Sequence, residues 1–400
     1  MARERIGILD GTFDPIHQGH IQMALSALEA ARLNRLYIIP AGDAGYKPCI
    51  VSGEDRWKMV VAACSQDGRL LPSRQELDSP VPSFTVDTLL ALRKKHPRAE
   101  LFVLLGTDGL MKLHGWRRLE EVLPLCSFLV CPRVGDTRLQ AYLREKARLT
   151  GMGARIFMIT MRPVSVSSTE VRDRLAHDSP APNLYGPVRE FCALLGLYGM
   201  PVREERARPW IERLFASVTP HRFAHSLSVA AESRRLAERF GLDARRAEQA
   251  GLLHDCAKCL PLEEMRRIAV DNSLTDDEAM LSSGALLHSV VGAFVARRDY
   301  GMEDPEVLEA IAYHNTGCAG MSRLAMCVCL ADSIEPTRDS YPLLEQVRAL
   351  AEKSLEGALL LSLEGTASFV RSRGKYLHPR TQETIAWLKT LPEARSGINQ

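Results

Sequence analysis

The chain reads as a doubly wound α/β domain built on a parallel sheet, followed by an all-α domain. Three observations predict this. In the first half, short β-rich runs alternate with helical stretches, the pattern of strands joined by crossover helices. After Gly199, Met200-Pro201 and the charged run from Arg203 to Arg208 offer no apolar face. From Pro209 onward the sequence is helical almost to its end and does not repeat the first half. At roughly 150 residues per domain, 400 residues accommodate two domains, expected over 1–200 and 208–395.

The expected strands are Ile6 to Leu9, Leu36 to Ile39, Leu101 to Leu105, Phe128 to Cys131 and Ile156 to Ile159. Helical patterns fill the gaps, notably Gly19 to Ala31, Glu54 to Cys64 and Val86 to Lys95. A sheet of this kind binds ligands beyond the carboxyl ends of its strands. In the second half, helices are expected over Trp210 to Val218, Ala224 to Phe240, Ala244 to Cys259, Leu262 to Val270, Gly284 to Asp299, Pro305 to His314, Met321 to Ser333 and Leu343 to Ser362.

Composition narrows the function. With 46% hydrophobic and 25% charged residues the chain buries ordinary cores and is not mainly disordered. Lys and Arg number 51 against 49 Asp and Glu, and a net charge of +2 gives no field for nucleic acid or an anionic membrane. Any anion site must be local. The longest apolar runs, such as Leu101 to Leu105 and Met326 to Ala331, are too short to cross a bilayer. Ten scattered cysteines, and an N-terminus that leads from Met1-Ala2-Arg3-Glu4-Arg5 into a short apolar strand, point to a reducing cytoplasm. Cys256 with Cys259 and Cys327 with Cys329 could be drawn as a zinc cage, but their apolar helical flanks favour small buried thiols.

The first candidate site follows the first strand, in Asp10-Gly11-Thr12-Phe13-Asp14-Pro15-Ile16-His17-Gln18-Gly19-His20. Gly11 and Pro15 make a tight turn, and the amides at the helix start attract an anion. His17 and His20, three apart, can both donate to one phosphate from the first helical turn. Near residue 167, Ser165-Val166-Ser167-Ser168-Thr169-Glu170-Val171-Arg172 sets hydroxyls ahead of a helix, where they serve as a cap or as phosphate ligands, with Arg172 in the first turn. Lys47 adds a third cation.

These residues resemble the nucleotidyltransferase superfamily, with its Rossmann-like fold, and within it the nicotinate-nucleotide adenylyltransferases. Pro82-Ser83-Phe84-Thr85, Gly106-Thr107-Asp108, Leu113-His114-Gly115-Trp116 and Arg133 extend the resemblance over about residues 5 to 198. It implies transfer of the adenylyl group of ATP, accompanied by Mg2+, to nicotinate mononucleotide, with release of pyrophosphate. His17 and His20 would then grip the ATP phosphates, and Lys47 and Arg172 would spread their charge. Ser167, Ser168 and Thr169 would hold the triphosphate end, while Gly11, Thr12, Phe13, Gly106, Asp108 and Arg133 would complete the nucleotide site. Trp116 would stack on the pyridine, and Thr85 and neighbouring amides would read its carboxylate. The chain departs from the family at Gly45-Tyr46-Lys47, where Pro-His-Lys is usual, at Ser79, where arginine is usual, and at Phe84, where tyrosine is usual. The lost tyrosine hydroxyl leaves nicotinamide mononucleotide or another phosphorylated acceptor open.

The second candidate site is a set of inward positions on helices. His254 follows Ala247, Ala250 and Gly251; His288 precedes Val291, Gly292 and Val295; His314 follows Val307, Ala310 and Ile311; Asp332 follows Ala325, Val328 and Cys329. His225 shares a face with Val229, Leu236 and Phe240, and Asp255 adjoins His254. Buried imidazoles and carboxylates are costly unless they share a partner, and a metal is that partner. Six such side chains exceed one tetrahedral zinc. With Asp255 bridging, they suit two transition metals about 3.5–4 Å apart.

The set resembles the HD-domain phosphohydrolases, and their binuclear members through His288 and His314. His254-Asp255-Cys256-Ala257-Lys258, Tyr313-His314-Asn315-Thr316-Gly317 and the run from Ala331 to Arg338 resemble the branch that splits diadenosine tetraphosphate into two ADP, over about residues 208 to 390. The resemblance implies iron at the site, catalytic roles for Asp255 and Lys258, and phosphate contacts from His221, Thr316, Gly317 and Arg338. Hydrolysis of ordinary nucleotides, or a half that binds nucleotide and only regulates, remain as alternatives. Oligomeric state is left open.

Overall fold

A computed structural model describes residues 3–42, 49–80, 84–132, 139–160 and 164–394. The chain divides into two compact units, Met1–Cys192 with Gly196–Pro201, and Ala193–Leu195 with Val202–Gln400.

The first unit runs β1 (Arg5–Gly11), α1 (Gln18–Ala30), β2 (Arg35–Pro40), α2 (Gly53–Cys64), β3 (Leu70–Pro72), α3 (Thr85–Lys95), β4 (Glu100–Gly106), α4 (Thr107–Lys112), α5 (Leu119–Leu125), β5 (Ser127–Cys131), α6 (Leu139–Gly151), β6 (Ile156–Met158), α7 (Ser168–Ala176) and α8 (Gly186–Leu195). All five expected strands form, every pair is parallel, and the order is β3-β2-β1-β4-β5-β6. Strand β3 was not expected, because Leu70-Leu71-Pro72 is too short to show an alternation and its proline suits only an edge. The apolar runs become the core: Ile6, Ile8, Val103, Phe128 and Val130 are fully buried. The order reverses between β1 and β4, so Gly11 and Gly106, at their carboxyl ends, flank the crevice where such sheets bind ligands.

The second unit is wholly helical among the described residues: α9 (Ala207–Ser217), α10 (Pro220–Arg239), α11 (Ala244–Leu253), α12 (Leu262–Asp271), α13 (Glu278–Leu281), α14 (Gly284–Tyr300), α15 (Pro305–Tyr313), α16 (Arg323–Ile334), α17 (Leu344–Ala351), α18 (Leu355–Ser372) and α19 (Pro379–Leu388). The helix expected over Ala244 to Cys259 ends at Leu253, and turns follow it. The one expected over Leu343 to Ser362 is two helices, because Ser354 caps a new start with its hydroxyl accepting from the Gly357 amide at 2.9 Å. Cys256, Cys327 and Cys329 are buried as expected, but Cys259, carried by the turn after α11, is exposed. All ten cysteines are free, and among the described residues no helix is long and apolar enough to cross a membrane.

Helices α10 and α11 touch at Gly251, where a Cβ would meet the Val229 carbonyl oxygen at 2.8 Å and the Ala230 Cα at 2.9 Å. Backbone cannot yield as a side chain does. Gly251→Ala is therefore expected to destabilise the second unit by about 1–3 kcal/mol, the cost of overpacking a core. Calorimetry reads this as a lower midpoint for that unit; an unchanged midpoint contradicts the close approach.

Candidate active sites

In the first unit the turn after β1 and the start of α1 face the start of α7. One cavity of about 510 Å³ is lined by Gly11, Thr12, Phe13, His17, His20, Gly106, Asp108, Ser167, Ser168, Thr169 and Arg172. Eleven of the expected transferase residues thus meet in one place, from segments far apart in sequence. The rings of His17 and His20 stack with centroids 3.7 Å apart, and the His17 amide donates to His20 Nδ1 at 3.2 Å. Phe13 meets His20 edge-on at 5.0 Å. Arg172 is fixed by its bonds to the Asp14 carbonyl at 2.7 Å and to Thr169 Oγ1 at 3.2 Å. Ser167 caps α7 through the Glu170 amide, and Ser168 donates to the Pro15 carbonyl at 3.0 Å, tying the two segments together. Lys47, Arg133, Pro82 and Ser83 lie outside the described residues.

A second cavity of about 380 Å³ shares Asp10 and Gly11 with the first and adds Ala41, Glu76, Phe84, Thr85, Gly115, Trp116 and Arg117. Trp116 is half-buried: it packs against the core, its ring 6.2 Å from that of Phe128, and also lines this space. Sequence reasoning missed Arg56, which is fully buried on α2 and donates to the carbonyls of Thr12 and Ala41 at 2.9 and 2.7 Å. It holds the loops after β1 and β2 together. Nothing in the helical pattern of α2 distinguishes it from a surface arginine.

In the second unit the six expected metal ligands converge. His225 comes from α10, His288 from α14 and Asp332 from α16, whereas His254 and His314 stand just past the ends of α11 and α15. The Nδ1 atoms of His254 and His314 lie 2.7 and 2.8 Å from the carbonyls of Gly251 and Ile311. That of His288 lies 3.3 Å from the Gly284 carbonyl, and that of His225 lies 3.1 Å from Glu335 Oε1. Carbonyls and carboxylates only accept, so these contacts favour a proton on Nδ1, and with a metal held each Nε2 would turn a lone pair inward.

Those Nε2 atoms surround the carboxylates. Asp255 Oδ2 lies 3.5 Å from His254 and 3.9 Å from His225, and Oδ1 lies 3.2 Å from His288 and 3.7 Å from His314. Asp332 Oδ1 is 3.0 Å from His225 and 3.8 Å from His254. The Nε2 atoms of His288 and His314 face each other at 3.1 Å. The Nε2 atoms of His225 and His254 and Oδ1 of Asp255 are buried without a well-formed hydrogen bond. The set therefore fits divalent cations, with Asp255 offering one oxygen to each of two groups.

Charge in the cluster follows from burial. Burial pushes the carboxyl of Asp255 up, but His254, His288 and His314 together outweigh it and hold it well below the usual range. Burial would lower His225, yet Asp332 and Glu335 raise it to about 9. His288 is pushed down to about 4, chiefly by burial.

Cations ring the cluster. Lys258 Nζ is 3.0 Å from His288 Nε2 and 3.7 Å from Asp255 Oδ1, and Arg338 approaches Asp332 Oδ1 at 3.6 Å. Arg222, not singled out from sequence, reaches Asp255 Oδ2 at 2.8 Å. It stands three residues before His225, so the helical period that placed His225 inward could have found it. Glu335, three after Asp332, was missed likewise. His221 is exposed one turn before His225. Thr316 is buried with its hydroxyl on the Gly317 carbonyl, and Gly317 packs against Thr384, so the two shape a turn against α19.

The family described as Cytidylyltransferase-like matches residues 8–174, and the family described as HD domain matches residues 222–337. A Mycoplasma genitalium protein named probable nicotinate-nucleotide adenylyltransferase/Ap4A hydrolase is 27% identical over 376 residues, 92% of this chain and 99% of its own length. A symmetrical bis(5'-nucleosyl)-tetraphosphatase of Bacillus subtilis is 37% identical over 171 residues, 43% of this chain and 91% of its own. A probable nicotinate-nucleotide adenylyltransferase of Corynebacterium kroppenstedtii is 34% identical over 178 residues, 44% of this chain and 82% of its own.

Glu335 accepts from His225 Nδ1 and from the Thr337 hydroxyl, the latter at 2.8 Å, and so orients one ligand without touching the others. Glu335→Gln is expected to weaken metal retention about 10–100-fold, the usual cost of losing a carboxylate behind a ligating histidine. Titration of metal against a competing chelator measures it; unchanged retention removes Glu335 from the site.

Proposed function

We infer the function from one premise: the chain belongs to the nicotinate-nucleotide adenylyltransferases through its first half and to the symmetrical bis(5'-nucleosyl)-tetraphosphatases through its second. Residues 1–200 transfer the adenylyl group of ATP to a pyridine mononucleotide, the family acceptor being nicotinate mononucleotide, which yields deamido-NAD and pyrophosphate. Residues 208–395 hydrolyse diadenosine tetraphosphate to two ADP. The ten free cysteines suit a reducing cytoplasm.

The observation that carries the first activity is the cavity joining the paired histidines to the start of α7. The acceptor's own phosphate attacks the α-phosphorus, and the bond to the pyrophosphate oxygen breaks, so no protein nucleophile is needed. The chain supplies alignment and donors aimed at developing charge. His17 and His20 grip the phosphates, Arg172 is already oriented by Asp14 and Thr169, and Ser167 to Thr169 receive the triphosphate end. Lys47 would add charge, and Mg2+ accompanies ATP.

The second activity rests on the convergence of six ligands about Asp255. His225, His254 and Asp332 with Asp255 Oδ2 would hold one metal, and His288 and His314 with Oδ1 the other; an imidazole-rich set favours iron, manganese or cobalt over magnesium, and the family resemblance points to iron. When bound, the metals supply Lewis acidity toward water and a central phosphate oxygen. Arg222, Lys258 and Arg338 meet the remaining charge of the polyphosphate.

His20→Ala is expected to slow adenylyl transfer at least about a hundredfold, since a preoriented donor is lost, and to leave dinucleotide hydrolysis intact. Parallel assays check both; near-normal transfer refutes this turn as the ATP site. Asp255→Asn keeps the shape and removes the bridging charge. Metal content should drop from about two per chain and hydrolysis by orders of magnitude, with transfer retained. Elemental analysis beside both assays decides, and a variant that hydrolyses at the normal rate ends the binuclear reading.

A further inference from the structure

All strands of the sheet run the same way, so the amino ends of β1, β4, β5 and β6 meet at the end opposite the crevice. The 7 residues of β4, at about 3.3 Å each, set roughly 20 Å between the two ends. A cavity of about 810 Å³ opens at this far end, and Arg3, Arg5, Arg93, Arg98 and Arg155 line it. Glu100 is the only carboxylate among the described residues of its wall, and it stands 3.5 Å from Arg5 Nε. Part of the positive charge has a structural duty. Helices α3 and α5 end here, and the carboxyl end of each carries about half a unit of negative charge. Arg93 meets those ends, donating to the Ala99 carbonyl at 2.6 Å and to the Leu125 carbonyl at 3.0 Å. Arg5 lies over the Phe102 ring, 4.8 Å from its centroid, and Arg155 uses one donor on the Cys126 carbonyl at 3.2 Å. The guanidinium groups of Arg3 and Arg98 have no hydrogen-bond or ion-pair partner among the described residues. Two helix ends and Glu100 offset about two of the five charges, which leaves about three, with donors to spare on Arg3, Arg98 and Arg155.

In a chain whose net charge is only +2, this is a concentrated local excess. Guanidinium groups gathered without matching carboxylates repel one another, and a chain of phosphates relieves that repulsion while accepting their paired N–H donors. A ring on the same wall narrows the ligand further. Phe157 lies two residues after Arg155 on the edge strand β6, so both project from one face, and it is 53% exposed. A large ring left in water beside cations offers a base a surface on which to stack. We propose that this cavity is a further nucleotide site, separate from the two described above, and that it takes a nucleoside oligophosphate. Its phosphates lie among Arg3, Arg98 and Arg155, and its base covers Phe157.

Calorimetric titration of the full chain with α,β-methylene ATP, which cannot pass on its adenylyl group, and with inorganic tripolyphosphate tests this. The wild type is expected to bind one equivalent of the analogue that the Arg98→Gln, Arg155→Gln double variant binds at least about tenfold more weakly. Phe157→Ala should weaken the analogue at this site at least about fivefold, the loss of one stacked base, and leave tripolyphosphate unchanged. All three side chains are exposed, so each variant should keep the wild-type melting temperature and the wild-type KM for ATP in adenylyl transfer. Identical analogue isotherms in the wild type and the double variant overturn the site. An analogue affinity that Phe157→Ala does not move overturns the nucleoside as its ligand, and a KM for ATP that rises with the loss of binding overturns its separation from the catalytic cavity. Should the double variant unfold, Arg98→Gln alone, which removes no contact within the described protein, is held to the same outcomes.

Discussion

A carboxylate buried among four imidazoles is the constraint around which the second unit is arranged. Asp255 is 1% exposed, and its two oxygens are each shared between histidines from different helices. Removing an ion from water costs several kcal/mol, which only positive charge or hydrogen-bond donors brought in beside it can offset. The geometry makes sense when positive charge occupies the centre, and the protein already brings Lys258 and Arg222 to the rim. Two helices end where they do for the same reason: His254 and His314 each bond a carbonyl three residues back, which fixes the ring and closes the helix terminus.

The first unit handles anionic ligands in another way. Its sheet reverses order between β1 and β4, and what gathers there is a set of dipoles and hydroxyls with few full charges: the start of α1, the start of α7, two stacked imidazoles and a guanidinium held by a carbonyl. Such a site stabilises charge that develops and then leaves with the product. The loops that build it are held from beneath by Arg56, whose bonds to Thr12 and Ala41 replace the solvent those carbonyls would otherwise need.

What was legible in the sequence followed from periodicity. Strands β1, β2, β4, β5 and β6 announce themselves as apolar runs, and His225, His288 and Asp332 sit on stripes at helical spacing. The same arithmetic covers Arg222 and Glu335, which were passed over because an arginine or glutamate on a helix reads as a solvated face. His254 and His314 were placed inward correctly although each lies one residue beyond its helix, since the turn that follows preserves the helical angle for that residue. Helix α19, by contrast, begins with a proline at its first position after the His378 cap, a signal present in the sequence and not used.

Asp10 and Thr85 show where periodicity stops. They are separated by 75 positions, and no stripe or spacing links them. Their contact follows from the crossover that carries α3 over the sheet, setting the first residue of a helix against the end of a strand two elements earlier in space. Asp10 alone reads as one polar residue ahead of a glycine turn. Only when the sheet is assembled does its carboxylate accept the hydrogen bond of the Thr85 hydroxyl. Contacts at a topological switch point are thus written in residues brought together by the sheet, and the anion cavity beside it likewise joins the turn after β1 to the start of α7.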